Sequence, residues 1–125
     1  MPVLEIRALP QPDPGRVGPA LAATCLAIAR EYGCEPHHVW ATWVTLEPGH
    51  YVEGDRPATE QPGQTHPPIG RLLCFEGRDP ETIERVLIAA AETLSRELGI
   101  PGNIFIEYVE AHSGRVIDGG GVIRR

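Results

Sequence analysis

Residues 68–80 read Pro-Ile-Gly-Arg-Leu-Leu-Cys-Phe-Glu-Gly-Arg-Asp-Pro. The apolar run at 69–75, with a proline ahead of it and Glu-Gly-Arg behind it, reads as a β-strand. Asp79-Pro80 then reads as a helix start. A short carboxylate can accept the first free N–H groups, and proline suits the first helical position, where an N–H would lack a partner. Ile83, Val86, Leu87, Ala90, Leu94 and Leu98 recur at helical spacing, and Gly99 suits the left-handed residue that ends a helix. A further run rich in β-branched and aromatic residues at 104–110 predicts a second strand, so this half of the chain is a β-α-β unit.

The same unit precedes it. A strand is expected over 3–9, a helix start at Asp13-Pro14, an apolar stripe of Val17, Leu21, Cys25, Ile28 and Tyr32, a stop at Gly33, and a strand over 39–46. Pro2 matches Pro68, Asp13-Pro14 matches Asp79-Pro80, and Gly33 matches Gly99, all at an offset of 66. After one deletion, Pro36 matches Pro101, Val39 matches Ile104, and Gly49 matches Gly114, at an offset of 65. Repetition on this scale organises the whole chain. We expect one domain over 1–125: repeat one at 2–53, a polar, proline-rich linker loop at 54–67, and repeat two at 68–125. Parallel strands joined by right-handed helical crossovers give an α/β (α+β) fold, a four-stranded sheet with two helices on one face. The strands are apolar on both faces, Trp40 and Thr42 against Ala41 and Trp43 for example. The uncovered face therefore calls for a symmetric oligomer.

Composition narrows the function. The net charge is −6 with no basic cluster, which argues against nucleic acid as a partner. No apolar stretch is long enough to span a membrane, and the first residues lack the pattern of a signal peptide, so a cytoplasmic location is expected. Cys25, Cys34 and Cys74 have neither disulfide nor metal-ligand spacing, and the five histidines lack metal spacing too, so no metal or other cofactor is expected. All eleven cationic residues are arginine and there is no lysine, so anion binding falls to arginine.

Pro2 is the candidate base. Once Met1 is removed, its ring nitrogen is a secondary amine on no flexible stem. An α-amino group titrates at about 7.7–8.0, and apolar surroundings push it lower. That makes a general base at neutral pH. Its counterpart Pro68 is in mid-chain and has no such amine. Conversely, Arg78 follows the first strand of repeat two, where repeat one has Pro12. One site per chain follows, with Pro2 as base and Arg78 as the fork that holds a carboxylate.

Pro2, Phe75-Glu76-Gly77-Arg78-Asp79, Leu98-Gly99-Ile100-Pro101, Gly49-His50-Tyr51 and the tail Ile117-Asp118-Gly119-Gly120-Gly121 with Arg124-Arg125 together resemble the tautomerase superfamily. The Glu-Gly-Arg stretch is similar to the EGRS motif of 4-oxalocrotonate tautomerase. Two-unit chains of this length resemble the macrophage migration inhibitory factor, 5-carboxymethyl-2-hydroxymuconate isomerase and cis-3-chloroacrylic acid dehalogenase groups. The resemblance implies a homotrimer, a small carboxylic acid substrate and no cofactor. It also implies a proton moved within a 2-oxo or 2-hydroxy acid, with Pro2 and Arg78 catalytic.

Further site residues follow from the same resemblance. The family's second arginine falls on Trp40 or Phe105, neither of which binds anions, so these become apolar walls. Tyr51 matches a pocket phenylalanine, and Glu107 a polar pocket residue. Arg71 either faces the pocket or pairs with Glu5. Arg115 stands where the pattern has a tail histidine and offers a second cation. Asp118 stands where the dehalogenase group has its water-activating glutamate. Two alternatives stay open: a hydratase or dehalogenase of an unsaturated acid, and a trimeric binding protein without catalysis.

Overall fold

The computed structural model describes residues 2–100 and 102–125. Met1 and Pro101 lie outside the described residues, and with them the removal of Met1 and the Pro36–Pro101 match. Strand β1 (Val3–Ala8) leads through a 3-10 turn at Pro14–Arg16 into helix α1 (Val17–Tyr32). A second 3-10 turn at Pro36–His38 precedes β2 (Trp40–Thr45), followed by the short strands β3 (Tyr51–Glu53) and β4 (Arg56–Ala58). The second half runs β5 (Ile69–Phe75), α2 (Pro80–Leu98), β6 (Phe105–Ala111), β7 (Val116–Asp118) and β8 (Gly121–Ile123). The main sheet has the order β2-β1-β5-β6, with parallel outer pairs and an antiparallel centre where β1 meets β5. This is the expected α+β architecture.

The helix signals act as read, with one difference. Asp79 accepts the Thr82 N–H at 2.8 Å and caps α2. Asp13 instead accepts the Gly15 N–H at 3.1 Å and caps only the 3-10 turn. The sequence Gly15-Arg16-Val17-Gly18 is a poor helix former, so α1 begins three residues after Pro14. Both helices end at a left-handed glycine, Gly33 at φ +84° and Gly99 at φ +73°.

Between sheet and helices lies the core. Leu4, Ile6, Ala8, Leu72 and Cys74 meet Ala20, Ile28 and Tyr32 of α1 and Val86, Ala90, Leu94 and Leu98 of α2. Truncating a fully buried leucine such as Leu72 or Leu94 costs about 2–5 kcal/mol, because a cavity is left as well as lost burial. The opposite sheet face is open within one chain. Trp40, Val44 and Phe105 stand about half exposed on it, beside a charged row of Glu5, Arg71 and Glu107 in register.

The linker differs from the loop expected. Arg56–Ala58 is a strand paired with Tyr51–Glu53, turned by Gly54-Asp55. The tail repeats it at an offset of 65: β7 pairs with β8 through Gly119-Gly120. Two-residue turns of this composition are a hairpin signal, obscured here by the surrounding prolines. The rest of the linker is tied down. Gln61 donates to the carbonyl of His66 at 2.9 Å and accepts from Gln11 at 3.3 Å, and His66 is buried with φ +53°.

Candidate active site

In the antiparallel register Val3 lies opposite Leu73, so the start of β1 sits against the end of β5. Pro2, one residue outside the pairing, therefore falls across from Cys74. Its carbonyl accepts the Trp40 N–H at 3.0 Å, which fixes the start of β2 alongside. The Pro2 ring is fully buried. Topology alone thus gathers Pro2, Trp40 and the residues after Phe75 at one end of the sheet.

Glu76-Gly77-Arg78-Asp79 turns the chain from β5 into α2, and each residue has a local task. Glu76 binds His112 and accepts the Ser113 N–H at 3.4 Å, tying β5 to the tail. The His112 contact, foremost, holds the Glu76 carboxyl below its ordinary range. Gly77 takes φ +114°, which side chains rarely adopt. Asp79 caps the helix. Arg78 turns back across the end of α1, its guanidinium carbon 4.0 Å from the centroid of the Tyr32 ring.

At the same end of the sheet lies a cleft of about 390 Å³ lined by His37, His38, Trp40, Phe75, Asp118, Ile123 and Arg125. The Arg125 guanidinium covers the buried Phe75 ring at 4.2 Å, and the Arg125 N–H donates to the Ser113 hydroxyl at 2.8 Å. Larger hollows lie between the outer surfaces of α1 and α2 and on the open sheet face. Neither is lined by Trp40, whose N–H bonds the Pro2 carbonyl, or by Phe75, which precedes the Glu76–Asp79 turn; the smaller cleft is lined by both and is taken as the candidate site. Behind it the interior is neutral. Burial pushes the Cys74 thiol up to about 11. It also raises the Tyr32 hydroxyl, with Arg78 and Arg125 opposing. The Tyr108 hydroxyl is buried without a hydrogen-bond partner and is likewise raised, first by burial and then by Cys74 beside it.

Of the residues singled out from sequence, Pro2, Trp40, Arg78, Arg115 and Asp118 come to this end of the sheet, and Trp40 and Asp118 line the cleft. The others stand elsewhere in the chain. Phe105 takes at Pro68 the place that Trp40 takes at Pro2, its N–H donating to the Pro68 carbonyl at 3.0 Å. β5 separates these two ends by about 20 Å, at about 3.3 Å per residue. Arg71 pairs with Glu107 at 3.4 Å on the open face. Tyr51 donates its hydroxyl to the Pro67 carbonyl at 2.6 Å. Arg115 is exposed on the turn before β7, its N–H on the His112 carbonyl at 3.1 Å. His37, His38, Phe75, Ile123 and Arg125 line the cleft as well. The histidine pair just ahead of β2 was the available signal, weighed only for metal binding. No group of three or more His, Cys, Asp or Glu suited to a metal ion occurs among the described residues. No helix among them is long and apolar enough to cross a membrane.

No protein-family model matches the chain, and no curated protein does. Solved structures match in fold. A fused 4-OT in an asymmetric trimer has 14% identity and a TM-score of 0.84, over 96% of this chain and 94% of that one. A protein inactivated by 2-oxo-3-pentynoate has 18% identity and a TM-score of 0.83, over 97% and 94%. A member of the cis-3-chloroacrylic acid dehalogenase family has 12% identity and a TM-score of 0.76, over 97% and 82%. The chain thus has the tautomerase fold along nearly its whole length.

Proposed function

We propose that this chain is a cofactor-independent tautomerase or isomerase of the tautomerase superfamily, acting on a small 2-oxo or 2-hydroxy acid. The observation that carries the reading is the convergence of Pro2 and the Glu76–Asp79 turn at one end of the sheet, beside a cleft. Met1 is removed, and the Pro2 nitrogen becomes an amine whose low-dielectric surroundings favour the neutral form. Arg78 holds the substrate carboxylate through paired N–H groups and offsets charge as an enolate develops. The Pro2 lone pair takes the proton from the enol oxygen or the acidic carbon and returns it to another atom of the same molecule. No atom or electron is gained or lost, so no cofactor is required. Trp40 forms an apolar wall.

In this reading three chains close the open sheet faces on one another, as the fused 4-OT trimer supports. Phe105 and Glu107, toward the other end of the sheet, then reach a Pro2 site from a neighbouring chain. Tyr51, Arg71 and Arg115 are substrate-binding residues only through such a contact or a shift of their present partners.

A second reading has one observation in its favour. Asp118 lines the cleft, where it could direct water at an unsaturated acid, giving a hydratase or dehalogenase. Halide release from 3-haloacrylates that disappears in Asp118→Asn would establish it.

The first reading is tested by labelling with 2-oxo-3-pentynoate, the compound that inactivates one protein of this fold. Peptide mass mapping should find one adduct per chain on Pro2 and none in Pro2→Ala. An adduct confined to Cys25 or Cys34, or inactivation that persists in Pro2→Ala, overturns it.

A further inference from the structure

Arg78 has an aromatic partner but no carboxylate. Among the described residues it enters no ion pair, a state it shares with most of the chain's arginines. Its partner Tyr32 is the last residue of α1, 5% exposed and part of the core. A stacked guanidinium uses its π face, while its N–H donors lie in the plane and stay free for a bidentate carboxylate. A ring fixed in the core and 4.0 Å from the guanidinium carbon confines the fork against one face. An arginine already confined loses less freedom when a substrate binds.

The repeat supplies an internal control. At an offset of 66, Tyr32 corresponds to Leu98 and Arg78 to Pro12. At the equivalent positions of the other repeat, ring and cation are both replaced, by a leucine and a proline. The buried Leu98 also shows that the site at the end of a helix in this fold accepts leucine without a ring.

We propose that Tyr32 is a positioning residue: its ring orients Arg78 so that the guanidinium edge selects a planar carboxylate. This rests on the reading of Arg78 as the carboxylate anchor. The ring is what matters, so the hydroxyl is dispensable.

The test compares Tyr32→Phe and Tyr32→Leu with phenylpyruvate enol as substrate. Tyr32→Phe should behave as the parent. Tyr32→Leu should raise KM by about 2- to 30-fold, the range a cation–π contact spans from exposed to desolvated sites, with a smaller change in kcat. In an Arg78→Ala background, Tyr32→Leu should add nothing. A second readout needs no turnover: the Arg78 side-chain resonances should be shifted upfield by the ring in the parent and in Tyr32→Phe, and not in Tyr32→Leu. If Tyr32→Leu fails to fold, Tyr32→Met and the parent spectrum decide. Equal KM for Phe and Leu variants, an undiminished effect in the Arg78→Ala background, or no upfield shift in the parent overturns the proposal while leaving Arg78 as anchor. An Arg78→Ala variant with unchanged KM overturns the anchor reading, and the proposal with it.

Discussion

The two ends of the sheet are built from equivalent parts and finished differently. At one end Pro2 starts β1, Trp40 bonds its carbonyl, and Glu76-Gly77-Arg78-Asp79 turns into α2. At the other, Pro68 starts β5, Phe105 bonds its carbonyl with the same 3.0 Å contact, and Pro10-Gln11-Pro12-Asp13 turns toward α1. The Pro68 end is sealed by its own chain. Gln11 reaches Leu9 and Gln61, Gln61 holds the His66 carbonyl, and Tyr51 holds the Pro67 carbonyl. The hairpin acids differ in the same sense. Glu53 accepts the His66 N–H at 3.0 Å, whereas its counterpart Asp118 lines a cleft. A duplicated scaffold thus keeps its ladder and its helix-ending glycines in both halves. At the Pro2 end it places a cleft lined by Trp40, Phe75 and Asp118, at the same end as a proline that can own an amine.

The largest effect that would break this comparison lies at the two prolines. Pro2→Ala should lower kcat/KM by about 10²–10⁴-fold, the share of a positioned general base. Pro68→Ala should leave it unchanged. Next comes the cation. Arg78→Ala should raise KM by roughly 10- to 150-fold, because hydrogen bonds to charged groups are worth about 1.5–3 kcal/mol. The sealed end predicts loss of stability with activity intact. Gln61→Ala leaves buried partners unsatisfied and should cost about 1–3 kcal/mol in chemical denaturation. Tyr51→Phe removes one hydrogen bond and should cost about 0.5–1.5 kcal/mol. A change in KM in Gln61→Ala would blur the contrast, whereas one in Tyr51→Phe would place Tyr51 in a neighbouring chain's site.

The smallest effect concerns pH at the open end. The Glu76 carboxyl is held below its ordinary value of 4.5, chiefly by His112. A depressed folded-state pKa contributes stability that is present above that value and is lost as pH falls through the folded one. The melting temperature of the parent should therefore drop more steeply below pH 4.5 than that of Glu76→Gln. Matching slopes would remove Glu76 from the tail's attachment.

Much of this was legible in the sequence, and the reasons are local. Asp79-Pro80, the 3.6-residue stripe and Gly99 define α2 because caps and periodicity act within a few residues. The offset of 66 carried the four strands and two helices, whereas the order β2-β1-β5-β6 and its antiparallel centre depend on how the two units meet, which no local pattern reports. The hairpin at 51–58 was hidden by Pro57 and the prolines around it. Which arginine of the tail lines the cleft, Arg125 rather than Arg115, depends on how β7 and β8 fold back, and no periodicity reports that. Nor does any local pattern place Tyr32 under Arg78, two residues 46 apart that meet only through the packing of α1 against the end of β5.

The central claim is that one of two equivalent prolines is a base. The most direct measurement is kcat/KM for phenylpyruvate enol and 2-hydroxymuconate, using protein whose intact mass shows Pro2 as the first residue. We predict turnover of at least one compound by that protein, retained in Pro68→Ala and lost in Pro2→Ala. Equal turnover by the parent and Pro2→Ala would contradict the account.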